Sequence, residues 1–231
     1  MLKLLQSLGF VIHPLKTISI PTMNIEFLGF IINSENMTVT LTDEKKVALK
    51  TLCENTLTSG QHSIRDIARL LGKLSSSFTG VPEEKLHFRW LDRDKTNALS
   101  HSKGKFDKPI HLSKESKIEI VWWKDHILSS YSPILRDNPS TTITTDASLS
   151  GWGATGEGKE TGGLFSAHEK TAHINVLETK AVLFGLGALC GHLRNTHIKV
   201  LSDNTATVGA ISNMSSPKSM SLNSEIFSVW D

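Results

Sequence analysis

Residues 141–145 read Thr-Thr-Ile-Thr-Thr, an unbroken run of β-branched side chains. Such residues are stiff at χ1 and favour extended backbone, so the run predicts a strand over 141–148. It leads into Asp146, and the residues after that acid are mostly small: Ala-Ser-Leu-Ser-Gly-Trp-Gly-Ala. The strand therefore delivers a carboxylate beside a backbone with little side-chain bulk around it. Beyond it the pattern predicts strands over 151–156 and about 161–166, a helix over 175–190, a strand over 196–202 and a helix over 204–213. Elements in that order predict an α/β fold, a mixed sheet with helices packed on it. The segment SLNSEIFSVWD then has the pattern of a further helix.

Three acids of this region fall at element ends. Asp146 closes the first strand, Glu178 falls in the first turn expected for NVLETKAVLFGLGAL, and Asp203 ends HIKVLSD. Each alone has an ordinary structural reading. Glu178 stands three residues after Asn175, as in a capping box; Asp203 or Asn204 can cap the next helix; Asp146 can sit in a turn. Together they predict convergence, because neighbouring strand ends and a facing helix bring distant residues into one place. Clustered carboxylates oppose each other's ionisation and call for a counter-charge, and Mg²⁺, which prefers oxygen ligands, supplies it. Two such ions about 4 Å apart can activate water and stabilise a leaving oxygen in phosphodiester cleavage. Ala181, Val182 and Gly185 continue the Glu178 face with side chains suited to close approach to a sheet. Gly185 and Gly187 each cost a helix about 1 kcal/mol relative to Ala, so close approach is what would justify them. His168 and His173 flank the helix start and read as surface or capping histidines; Trp152 reads as a sheet-face aromatic.

The front of the chain differs in character. Residues 1–139 hold 19 Lys/Arg against 15 Asp/Glu, while the remainder holds 6 against 8, so the front is mildly basic and the back mildly acidic. Such a bias permits nucleic-acid contact in front and a cation site behind without establishing either. LGFVI and IEFLGFII predict β structure between 8 and 40, with a short strand over 37–41. Helices are predicted over 42–57, from Ser63 to Phe78 with a capping box of Ser63 and Asp66, and over 113–129. Residues 80–112 read as irregular and basic, and 129–140 as a linker. Cys53 and Cys190 form no CxxC pair, which points to a reducing, intracellular setting, cytoplasmic or nuclear. The longest apolar run, residues 181–190, is half the length of a membrane span, and the first residues lack a cleavage site for a signal peptide.

The motifs TTDASLSGWGA, HINVLETKAVLFGL and LSDNTATVGAIS resemble the ribonuclease H domain of retroelement polyproteins, most closely that of DIRS-type retrotransposons. The resemblance implies that Asp146, Glu178 and Asp203 are catalytic and hold two Mg²⁺ ions, and that an RNA–DNA hybrid is the substrate. LGFVIHPLKT and NIEFLGFIINSENMTVTL likewise resemble the end of a reverse transcriptase palm. That resemblance implies that Lys16 lies near the incoming nucleotide and that Phe27, Leu28, Gly29 and Phe30 form the hairpin gripping the primer end. It divides the chain into palm end (1–41), thumb and connection (42–139) and a ribonuclease H-like domain (140–231). Arg65, Arg69, Lys73 and Lys85 would then face nucleic-acid phosphates. The family's fourth nuclease carboxylate falls beyond the last residue, with Asp231 outside its motif, and the polymerase aspartates fall upstream. The expectation is a fragment of a longer polyprotein, without polymerase activity and with weak nuclease activity. An inactive nucleic-acid-binding remnant and another nuclease or transposase on the same fold are the alternatives.

Overall fold

The computed structural model describes residues 2–14, 17–134, 138–216 and 219–230. In chain order the elements are α1 (Leu2–Ser7), β1 (Asn24–Phe27), β2 (Phe30–Asn33), β3 (Thr38–Leu41), α2 (Asp43–Thr58), β4 (His62–Ser63) and α3 (Ile64–Ser75). Next come α4 (Arg89–His101), β5 (Pro109–Ile110), α5 (Lys114–His126) and β6 (Ser132–Pro133). The back part holds β7 (Thr141–Ala147), β8 (Gly151–Gly156), β9 (Lys159–Leu164), α6 (Ile174–Gly185), β10 (Ile198–Leu201), α7 (Thr205–Ser212) and α8 (Met220–Trp230). Among the described residues no helix is long and apolar enough to cross a membrane.

Two four-stranded sheets organise the chain. The front sheet has the order β1-β2-β3-β6 and is antiparallel throughout, the supposed linker supplying its last strand through Val39↔Ser132 and Thr38↔Pro133. The back sheet has the order β10-β7-β8-β9. Its β7–β8–β9 meander is antiparallel, and β10 runs parallel to β7. This is the mixed α/β sheet with flanking helices that the sequence pattern predicts.

The helices of the front part start where their sequences say. Thr42 caps α2 ahead of Asp43 and Glu44, and Ser63 and Asp66 form both halves of a capping box on α3. α3 then buries Ile64, Ile67, Leu70, Leu71 and Leu74 in a core shared with Leu49 and Cys53 of α2, Leu91 of α4 and Ile120 and Trp123 of α5. Two expectations are corrected. Residues 8–12 form no strand: α1 precedes them, Leu8, Phe10 and Val11 are exposed, and the front sheet offers them no pairing. Residues 89–101, read as irregular, form α4. Its capping residue Phe88 makes no side-chain cap, and the N–H groups of Trp90 and Leu91 instead donate to the buried carboxylate of Glu119 at 3.0 and 2.9 Å. That acid comes from α5 and cannot be read locally; burial pushes it up to about 7.

In the back part α6 packs against β7 and β8. A Cβ built on Gly185 would lie 2.9 Å from the Ala154 Cβ and 3.0 Å from the Thr145 Cγ2, so only glycine permits this approach. The same test at Gly187 meets nothing within 4 Å. α8 is tied to α6 by Lys180, whose Nζ reaches Glu225 at 3.4 Å and Glu169 at 3.2 Å.

The contrast between the two glycines makes a paired prediction. Gly185→Ala forces α6 off the sheet and lowers stability by about 1–3 kcal/mol, the usual penalty of overpacking. Gly187→Ala leaves it unchanged or raises it by about 0.5–1 kcal/mol through helix propensity. Chemical denaturation of both variants beside the parent checks the sign and the order.

Candidate metal centre

The parallel pairing of β10 with β7 sets the site's frame. Leu201 is in register with Thr144, so Asp203 and Asp146, each two residues further on, leave neighbouring strand ends at the same level. Glu178 comes from α6, whose closeness to the sheet brings that side chain to the end of β7. One oxygen from each of Asp146, Glu178 and Asp203 lies within 4.8 Å of the others. The two aspartates are exposed and Glu178 is 4% exposed.

Glu178 is the acid least able to stay charged unaided. Burial raises its pKa, and the charges of Asp146 and Asp203 raise it further; the Ala147 backbone N–H, donating to its carboxylate, opposes them. Its Oε2 is buried without a hydrogen-bond partner. A buried carboxylate oxygen left unpaired and faced by two more carboxylates fits a hard divalent cation, which coordinates oxygen and supplies the missing charge.

The structure separates the ordinary readings of these acids from the joint one. α6 is capped by His173, whose Nδ1 accepts from the Asn175 N–H at 3.2 Å. Helix therefore begins at Ile174 and Glu178 lies in its second turn, a correction to the expected first turn, where no acid occurs. Glu178 is not a capping-box acid. The residue that caps α7 is Asn204, accepting from the Thr207 N–H, which leaves the Asp203 carboxylate free of that role. His173 is a capping histidine as expected, and the His168 carbonyl accepts from Thr171 Oγ1. Trp152 lies 5.4 Å from Phe184 between the sheet and α6.

A connection that sequence reading passed over fixes Asp203 relative to Glu178. Asn204 Nδ2 donates to Asn175 Oδ1 at 3.1 Å, and Thr207 Oγ1 donates to the Asn175 carbonyl at 3.3 Å. The start of α7 is thereby tied to the first turn of α6. The local signal was the Asn in each motif, visible in the sequence but unpairable there.

The front residues fare differently. Phe27 pairs with Phe30 across a two-residue turn in which Leu28 and Gly29 both have positive φ, 52° and 76°. That is the type I′ geometry of tight hairpins, natural for Gly29 and strained for leucine. Lys45 of α2 holds it: its Nζ donates to the Leu28 carbonyl at 2.8 Å and lies 5.0 Å from the centre of the Phe30 ring. Phe27 and Leu28 stand exposed at the tip. Arg65, Arg69 and Lys73 line the exposed side of α3, one turn apart, with Arg65 paired to Asp107 by two hydrogen bonds at 2.7 and 3.2 Å. Lys16 and Asp231 lie outside the described residues.

No protein-family model and no curated protein matches this sequence. Among solved structures it is similar to the foamy viral protease-reverse transcriptase in complex with RNA/DNA hybrid, at 14% identity over 90% of this chain and 28% of that one, with a TM-score of 0.40. The same viral protein in complex with dsDNA is matched at 17% identity over 78% of this chain and 37% of that one, with a TM-score of 0.39. The chain thus spans about a third of the length of these structures. At TM-scores of this size the likeness adds nothing to the site, which stands on its own residues.

The repulsion at Glu178 has a measurable consequence. A carboxyl whose folded pKa is raised contributes stability below its unfolded value, and that stability is lost as pH rises through the folded one. Asp146→Asn removes one repelling charge. In a chelating buffer near pH 7 it should therefore stabilise the protein and raise its Tm. Thermal unfolding in EDTA, then with added Mg²⁺, is the check. The parent should gain stability from the cation and the variant should not.

Proposed function

We propose that residues 140–231 form a ribonuclease H-like nuclease domain that hydrolyses the RNA strand of RNA–DNA hybrids with the help of two Mg²⁺ ions. On this reading the chain is a piece of a retroelement reverse transcriptase–ribonuclease H polyprotein. Residues 1–41 are the end of the palm and 42–139 the thumb and connection. The observation that carries the proposal is the convergence of Asp146, Glu178 and Asp203 at the ends of parallel strands and a facing helix.

The chain's own residues divide the work. Asp146 and Asp203 would hold cations at the exposed strand ends, where a phosphate could reach them, and Glu178 offers a buried oxygen with no competing partner. The Asn175–Asn204 hydrogen bond keeps the third ligand in place. Ala147, Ser148 and Gly151 leave the strand ends open to a backbone. A bound cation pair supplies water activation and charge neutralisation at the leaving oxygen. The pinned Leu28–Gly29 turn favours a polymerase-derived front part over an unrelated nuclease of the same fold, since strain held by a lysine at an exposed tip marks a surface kept for contact.

The test incubates the purified chain with labelled RNA–DNA hybrid in magnesium and in manganese. Cleavage should require the divalent cation and fall by more than roughly 100-fold in Asp203→Asn, as the loss of a direct ligand exceeds that of an outer-shell partner. Cleavage that persists in EDTA or in the variant contradicts the reading. Cation binding and salt-sensitive hybrid binding without any cleavage would favour the inactive remnant instead.

A further inference from the structure

A second polar site lies away from the carboxylates, where the front and back parts meet. It is a cleft of about 320 Å³ lined by Ser75 at the end of α3, Phe78, Lys85, Phe88, Arg89, Asn213 and Ser215. Among the described residues two cations line it and no acid does; the neighbouring Glu84 is buried outside the lining. Phe78 and Phe88 meet edge to face at 5.2 Å and make its apolar wall.

Arg89 is held in place and left short of partners. Its Nη2 donates to Ser215 Oγ at 2.7 Å, across 126 positions of sequence, and Ser215 in turn donates to the Asn213 carbonyl at 3.2 Å. Its Nε is buried with no hydrogen-bond partner. An unsatisfied buried donor costs about 1–3 kcal/mol, and more on a charged group, so a guanidinium in this state favours any acceptor that can enter. A planar fork of donors with a second cation beside it suits the tetrahedral oxygens of phosphate.

Position identifies the source of that phosphate. The cleft lies at the far end of α7, whose near end comes directly after Asp203. Eight helical residues span about 12 Å. At an axial rise of about 3.4 Å per nucleotide in one strand, that is some three to four nucleotides from the carboxylates. On the other side the cleft is reached from α3, along which Arg65, Arg69 and Lys73 are spaced by single turns up to Ser75.

We infer that this cleft is an anion site that seats one backbone phosphate of the bound nucleic acid, with Arg89 as its main donor and Lys85 as its second cation. The phosphate site stands on the cleft itself; its occupant being the nucleic-acid backbone rests on the nuclease reading. Because Arg89 bridges the two parts of the chain, a seated phosphate would also stiffen the junction that carries Asp203.

Two measurements on the whole chain separate the claims. The first tracks hybrid binding against salt for the parent, Arg89→Gln and Lys85→Gln. Each substitution should weaken binding by about tenfold and reduce the log–log salt slope by about 1, the signature of one lost phosphate contact. Unchanged slopes in both would overturn the inference. Should Arg89→Gln fail to fold, Lys85→Gln alone decides this arm, since the Lys85 side chain makes no hydrogen bond or ion pair among the described residues. The second titrates the protein with inorganic phosphate while monitoring the Arg89 Nε–Hε resonance. Movement in the millimolar range that is reduced in Lys85→Gln supports the site, and a resonance that stays still overturns it. If the parent binds no hybrid, the nuclease reading fails, and the phosphate titration still judges the cleft.

Discussion

Gly185 lets α6 lie against Ile143, Thr145 and Ala154 at a distance no other residue permits, and that contact determines the position of Glu178. Two helical turns before the glycine, the same face of α6 carries the glutamate to the end of β7, where the Ala147 N–H meets it. The aspartates need no such device, because parallel register alone sets Asp203 beside Asp146. Three like charges then share a few ångströms, with one backbone N–H as visible compensation. Such an arrangement carries an electrostatic cost that protonation of Glu178 relieves and that a bound cation would also offset.

The front part is held together in several places by side chains that satisfy backbone groups. Glu119 gathers the free N–H groups at the start of α4, and Lys45 locks the Leu28–Gly29 turn against α2. Lys180 performs a related task behind, joining α6 to α8 through Glu225 while also holding Glu169. Two hydrogen bonds from Ser166 and the Lys180 ammonium draw the Glu169 carboxyl down to about 2, so its contribution is present above the ordinary Glu range and is lost as pH falls through that value. The contrast with Glu178 is informative. Glu119 and Glu169 each accept several hydrogen bonds, whereas the Glu178 Oε2 accepts none.

How much of this the sequence displays depends on how far each determinant reaches along the chain. The strand at 141, the helices with local caps at Thr42 and Ser63, and the order of the three acids are legible because their signals lie within a few residues. α4 was not legible: its sequence is charged, it buries Leu91 alone completely, and its cap comes from Glu119 almost thirty positions later. The apolar run at 8–12 misled for the converse reason, since β propensity means little to a segment with no strand beside it. Glu178 looked like a capping acid because Asn175 precedes it, until His173 proved to hold the cap. The Arg89–Ser215 bond joins residues with no local sequence relation at all.

The proposed nuclease depends on Asp146, Glu178 and Asp203 together binding a divalent cation. Manganese, which shares magnesium's preference for oxygen and scatters anomalously, tests it most directly in crystals of the parent and of Glu178→Gln. An anomalous peak is expected in the parent, bonded to oxygens of all three residues, and weakened or lost in the variant. No peak at the three carboxylates, or one held equally well without Glu178, would contradict it.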